Sequence, residues 1–356
     1  MATLKQVAAH AEVSVQTVSN ALNAPHRLRP DTLQRVTRSI ELLNYRPNRN
    51  ARSLRTSAVE LIGYCVPSLP SGQAHLVMDQ FLHALCTAAE ATGQHILLFT
   101  APPGVEGMAV YDDLHARRMV DGFVLSQTQT HDPRHGWLKE QDIPFVSFGR
   151  VWKETTQPGP YVDVDGAAGC AEAVRHLQET GRRRIGFLTW PKTSGLAEDR
   201  LSGWRTACRK LGLPSTGLAI RCHEDTMDEG ARATAELLDA GEGVDGIVAI
   251  SDILALGALR ELSRRGLTAG VDVGVVGFDD SPLASVVSPA LSSIRQPIDQ
   301  IATQLIDLLT GPPSGPAPGP APAAGPETAE QTEQTEASTE RLLLPELVIR
   351  GSSAPG

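Results

Sequence analysis

The sequence predicts a small all-α head joined to a larger α/β body of two doubly wound parallel-sheet lobes. The first 46 or so residues show helix-period patterning alone, and strand–helix alternation runs from residue 59 to about 310. The length of 356 residues accommodates two or three folding units at roughly 100–200 residues each.

The head reads as three short helices. Thr3-Leu4-Lys5-Gln6 fits a capping box, and Leu4, Val7, Ala8 and Ala11 then recur on one face. Glu12-Val13 breaks the pattern, and Ser14 suits the N-cap of a second helix through about Leu22. In that helix Val18, Ala21 and Leu22 face inward, leaving Val15, Gln16, Thr17, Ser19 and Asn20 outside. Pro30-Asp31 opens a third helix with Leu33, Val36, Ile40 and Leu43 as its buried stripe. Two short helices joined by a tight turn, braced by a third, describe a helix-turn-helix.

In the body, apolar runs predict strands at 61–66, 95–100, 122–126, 144–148, 185–189, 246–250 and 273–278. Helical stretches fall between them, among them 76–91, 166–179, 201–211, 229–240 and 253–265. Such alternation implies parallel sheets covered on both faces, with a ligand crevice at the carboxyl ends of the strands. Residues 311–340 hold seven Pro and no Leu, Ile, Val or aromatic residue, which predicts a disordered excursion. An apolar pattern resumes at 342–349, so a last strand is expected to rejoin the body.

Charge is unevenly placed. Residues 1–58 carry nine Lys/Arg and three Asp/Glu, leaving 23 bases and 38 acids for the remainder. A basic head on an acidic body points the head alone at a polyanion. A merely solvated charged face is the alternative that charge leaves open.

Several classes are disfavoured. No apolar run approaches the roughly 18 residues of a membrane span, and MATLKQVAAH lacks a signal-peptide pattern. A soluble, cytoplasmic protein is therefore expected. Five scattered cysteines without CxxC suggest neither a disulfide framework nor a zinc site. His131 and His135 are interrupted by Asp132-Pro133, which argues against a helical metal pair. No GxSxG, P-loop or GxGxxG follows a suitable strand, so neither catalysis nor a cofactor is expected.

Specific motifs go further. TLKQVAAHAEVSVQTVSNALN at 3–23 is followed by LNYRPNRNARSLRT at 43–56. Farther along stand VDGFVLS at 120–126, RLSGW at 200–204, VVGFDD at 275–280 and RQP at 295–297. Together these closely resemble the lactose/galactose repressor (LacI/GalR) family of bacterial transcription regulators. The resemblance covers nearly the whole chain except 311–340. It implies a helix-turn-helix head (1–46), a hinge helix and linker (47–58) and a two-lobed, periplasmic-binding-protein-like body (59–310), with a return strand and tail (341–356). The body would bind a small-molecule effector, a sugar or nucleoside-like polyol, and dimerise. No heptad repeat follows the last strand, so a homodimer on double-stranded operator DNA is expected rather than a tetramer.

The resemblance also assigns residues. Val15, Gln16 and Asn20 would read base edges in the major groove, with Ser14, Thr17, Ser19 and Asn23 nearer the phosphates. Thr3, Leu4, Arg27 and Tyr45 join the DNA-facing set. Many members carry Arg where this chain has Asn20. Asn favours adenine over guanine, so the half-site is expected to differ there. Asn48 would serve phosphates in the hinge, small Ala51 would permit close approach, and Leu54 would wedge into the minor groove. Packing of Leu54 on the body remains the alternative.

Effector contacts would come from Arg200, Asp279 and Gln296, with Asp252 and Arg150 as weaker candidates. An Arg and a carboxylate facing one cleft suit vicinal hydroxyls. Asp279 and Asp280 equally suit a turn-capping role. The chain also departs from the family: Ser251 replaces an Asn, Gly149 an Asp, and no aromatic is evident near Asp225 for stacking on a sugar. The competing function is a cytoplasmic sugar-binding protein or carbohydrate enzyme on the same body.

Overall fold

The computed structural model describes residues 2–45, 59–66, 76–241, 243–311 and 339–354. It divides into two compact units, Met1–Val59 and Glu60–Gly356. The expected hinge helix, with Asn48, Ala51 and Leu54, and all but the ends of the 311–340 excursion lie outside the described residues.

The first unit has the three expected helices, α1 (Leu4–His10), α2 (Val15–Asn23) and α3 (Pro30–Leu42). Thr3 closes the capping box: its backbone N–H donates to Gln6 Oε1 at 2.8 Å while Gln6 N–H donates back to Thr3 Oγ1 at 3.4 Å. The turn to α2 passes through Glu12 at φ 53°, the left-handed step that redirects the chain. Val7, Ala8, Ala11, Val18 and Val36 form the buried centre, ringed by Leu4, Ala21, Leu22, Ile40 and Leu43.

Two six-stranded sheets build the second unit. The strands are β1 (Leu61–Cys65), β2 (His95–Phe99), β3 (Gly122–Leu125), β4 (Phe145–Phe148), β5 (Tyr161–Val164) and β6 (Ile185–Thr189). They continue with β7 (Ala219–Arg221), β8 (Gly246–Ala249), β9 (Gly274–Asp279), β10 (Ser292–Arg295), β11 (Glu340–Leu343) and β12 (Glu346–Val348). One sheet runs β11–β5–β4–β3–β1–β2 and is parallel throughout. The other runs β12–β10–β9–β8–β6–β7, with only β12 antiparallel.

The chain passes between these lobes three times. It leaves β5 for helix Gly166–Glu179 of the second lobe, and returns after β10 into helix Ile298–Thr310, which packs on β4, β5 and helix Leu76–Ala91. The third passage lies between β11 and β12. One return strand over 342–349 was expected; two short strands occur instead, one completing each sheet. Pro345 separates them, having no N–H to extend a ladder.

Other departures have local causes. Strand β10 holds a single apolar residue, Ile294, so periodicity cannot reveal it. Its buried Ser292 is satisfied by Ser352 Oγ at 2.8 Å and Arg350 O at 3.0 Å. The helix expected at 201–211 begins earlier, at Gly195, because Ser194 Oγ caps Ala197 N–H at 3.2 Å.

Helices Gly166–Glu179 and Gly195–Lys210 touch backbone to backbone. A Cβ on Gly203 would sit 2.1 Å from Ala167 O. Gly203→Ala is therefore expected to destabilise the body by about 2–3 kcal/mol through forced separation of the pair, read as a lower denaturation midpoint with an unchanged slope.

Candidate functional site

The head presents one polar face. Ser14 Oγ accepts from Thr17 N–H at 3.1 Å, fixing the start of α2. One turn on, Gln16 Nε2 donates to Asn20 Oδ1 at 3.1 Å, aligning the two carboxamides. Thr3, Ser14, Val15 and Gln16 are exposed, while Thr17, Ser19 and Asn20 are half-buried. Arg27 is exposed in the turn Pro25–Arg27, and Asn23 ends α2. Leu4 and Tyr45 instead pack partly against the head core. Sequence reading missed a tie between α1 and α3, where His10 Nδ1 lies 3.0 Å from Ser39 Oγ.

Between the lobes of the body lies a cavity of about 920 Å³. Arg200, Asp252, Asp279 and Gln296 all line it. Arg200 is 3% exposed; its Nη1 donates to Ile250 O at 2.7 Å and its guanidinium lies 3.4 Å from the centre of the Phe278 ring. Gln296 Nε2 donates to Asp279 Oδ1 at 2.6 Å. Asp279 is held at φ 108°, a strained left-handed setting that costs about 1–3 kcal/mol. Burial pushes its carboxyl up to about 8, against the opposing pull of Arg200.

Asp252 does structural work at the same place. It opens helix Asp252–Arg264, accepting from Ser281 N–H at 2.6 Å and from Ser293 Oγ at 2.5 Å. Burial raises it to about 6. The alternatives left open for the neighbouring carboxylates now separate. Asp279 faces the cavity, whereas Asp280 is paired with Arg295 at 2.7 Å and Arg350 at 2.6 Å.

Arg150 is not among the lining residues. Its guanidinium is engaged by Asp163 at 2.9 Å and, across the cleft, by Asp199 at 3.4 Å, and it stacks 4.6 Å from the Trp152 ring centre. The geometry makes it a tie between lobes.

The expected lack of an aromatic near Asp225 is corrected. Trp190 Nε1 donates to Asp225 Oδ1 at 3.2 Å, and that oxygen also accepts from Ser251 Oγ. Trp152, Trp190 and Phe148 line the cavity. Trp190 directly follows β6 and Trp152 follows β4, so the rule that ligands meet strand carboxyl ends was the available signal. His131 pairs with Glu154 at 2.7 Å and His135 is buried. Among the described residues no His/Cys/Asp/Glu group could hold a metal, and no helix is long and apolar enough to cross a membrane.

Comparison with known proteins decides the family. Residues 3–48 match "Bacterial regulatory proteins, lacI family" and residues 174–353 match "Periplasmic binding protein-like domain". The transcriptional regulator CelR of Thermobifida fusca is 33% identical over 317 residues, covering 87% of this chain and 92% of that protein. The chain belongs to the LacI family.

Other LacI-family proteins align over similar lengths. GalR of Salmonella typhimurium is 30% identical over 314 residues, 86% of this chain and 88% of that one. A solved CelR–cellobiose complex superimposes with a TM-score of 0.68 at 30% identity, covering 99% of this chain and 100% of that one. The lac repressor dimer bound to operator and the anti-inducer ONPF gives 0.77 at 25% identity, with 99% of both chains covered. These relatives are DNA-binding regulators rather than enzymes, and the fold is the LacI-family one: helix-turn-helix head plus periplasmic-binding-protein-like body.

The Asp279 carboxyl gives this LacI-family body a pH signature. Its folded value of about 8 exceeds the ordinary 3.8, so the folded state holds a proton that the unfolded chain has lost. Its contribution to stability is full below about pH 4 and falls as pH rises to about 8. Asp279→Asn should melt higher than the native protein at pH 8, with the difference vanishing toward pH 4.5 in thermal scans.

Proposed function

We propose that this LacI-family regulator is a repressor that binds a pseudo-palindromic operator as a homodimer. Its affinity for DNA is set by a sugar-like polyol held between the lobes. The observation that carries the ligand half is the convergence of Arg200, Asp279 and Gln296 on one cavity, donors and acceptors suited to vicinal hydroxyls. The CelR–cellobiose complex at 30% identity supports a sugar. For the DNA half, exposed Val15 and Gln16 with Asn20 on one face of α2 fit base reading in the major groove, and Ser14, Thr17 and Ser19 fit phosphate contacts. Three passages of chain join the lobes, so a ligand that prefers one lobe arrangement shifts the body between states. A coupling of about 1–3 kcal/mol changes operator affinity some 5- to 150-fold. A free-standing sugar-binding protein would leave the basic head without a role.

Gel shifts test the reading. The full chain should bind operator DNA, and a 60–356 fragment should not; equal affinity would overturn it. With cellobiose as first probe, followed by other sugars, Arg200→Ala and Asp279→Ala should retain operator binding but lose the response to sugar. A normal response in both would place the site elsewhere in the cleft. In selection from random DNA, Asn20→Arg should move one base preference in each half-site from adenine toward guanine; an unchanged consensus would remove Asn20 from the reading set.

A further inference from the structure

The cleft is acidic. Asp163, Asp199, Glu224, Asp225 and Asp252 line it together with Asp279, whose carboxyl keeps its proton up to about pH 8, against Lys153, His223 and Arg200. The two arginines nearest these groups are engaged: Arg150 by Asp163 and Asp199, and Arg200 by Ile250 O and the Phe278 face.

Helix N-termini are the other usual receptors for phosphate, because their first amides lack partners. Among the longer helices whose N-caps are described, three open onto this cavity, and each is taken up by the chain itself. Asp165 Oδ1 accepts from Ala168 N–H at 2.8 Å, and Asp199 Oδ2 from Ala167 N–H at 3.1 Å, at helix Gly166–Glu179. Ser251 Oγ accepts from Leu254 N–H at 3.2 Å at helix Asp252–Arg264. At helix Gly195–Lys210, Ser194 caps Ala197 and the Trp152 side chain covers Gly195, where a Cβ would lie 2.0 Å from the indole.

What the cleft does offer suits uncharged rings. Trp152 comes from the first lobe and Trp190 from the second, and both line the space. About 920 Å³ lies near the upper end of the about 300–1,000 Å³ usual for small-molecule sites, more than one sugar ring needs.

We infer that the effector is an uncharged glycan of at least two rings, that the cleft rejects phosphorylated sugars, and that Trp190 is a specificity-determining residue. The inference rests on the proposed function, since it refines the ligand of the same site. Asp225 and Ser251 orient the Trp190 indole, and its face offers the apolar side of a sugar ring a surface that is indifferent to charge.

Calorimetry and thermal shift on the full chain test this, with cellobiose, maltose, lactose, gentiobiose, glucose, glucose 6-phosphate and trehalose 6-phosphate as probes. One or more neutral disaccharides should bind about tenfold or more tighter than glucose, and neither phosphate should raise the melting temperature. Trp190→Ala should weaken that disaccharide about tenfold while keeping operator affinity; Trp190→Phe, which keeps a ring packed on the core, should restore most of the loss. Tighter binding of a phosphorylated sugar or of glucose overturns the inference, as does unchanged affinity in Trp190→Ala, or binding of no probe. Operator affinity measured in the same samples separates the two readings. A disaccharide that binds without moving it sinks the regulatory coupling and leaves the ligand class standing. A response to phosphorylated sugar alone does the reverse.

Discussion

Parallel pairing is the constraint on which the body depends. Except for β12, every strand runs parallel to its neighbours, so each link must carry the chain back across a sheet face. All carboxyl ends of a sheet then gather on one side. Residues just past β3, β4, β5, β6, β7, β8, β9 and β10 line the cavity, placing its polar groups on the ends of rigid elements. Their precision comes from neighbouring caps and serines rather than from long loops. Asp252, for instance, is clamped by Ser281 and Ser293 before any ligand arrives.

The head follows a different economy. Its centre is five small side chains, so a helix cap at about 1 kcal/mol weighs heavily against its packing. The same caps serve its function. Ser14 fixes the first turn of α2, and the Gln16–Asn20 bond orders two carboxamides on the solvent side. Stability and base-reading geometry are thus set by the same few polar atoms.

Much of this was legible in the sequence because the strongest signals are local. Capping residues, the helical stripe of α3 and the apolar runs of the central strands each declare themselves within a few residues. Strands β5, β7 and β10 did not, because their identity comes from neighbours rather than composition: Ser292 and Ser293 are buried serines paired across the fold. Ligand-facing residues divide the same way. Arg200, Asp279 and Gln296 sit in recognisable motifs and meet in space. Arg150 sits in one too, yet its charge is consumed by Asp163 and Asp199, which are distant in sequence. Trp190 was overlooked because its partner Asp225 stands 35 positions away.

The passage between β11 and β12 has a consequence for how the protein can be damaged. Within a few residues it supplies the outer strand of both sheets, and just beyond it Ser352 and Ser353 lock onto Ser292 and His176. A stop codon just before this segment, ordinarily the mildest of truncations, would bare the edges of β5 and β10 together and invite edge-to-edge aggregation. The helix-turn-helix, which leaves the ribosome before the body, would be spared. Such an allele would separate DNA reading from ligand sensing, and selection on the codons of this segment should be as strict as on the recognition helix.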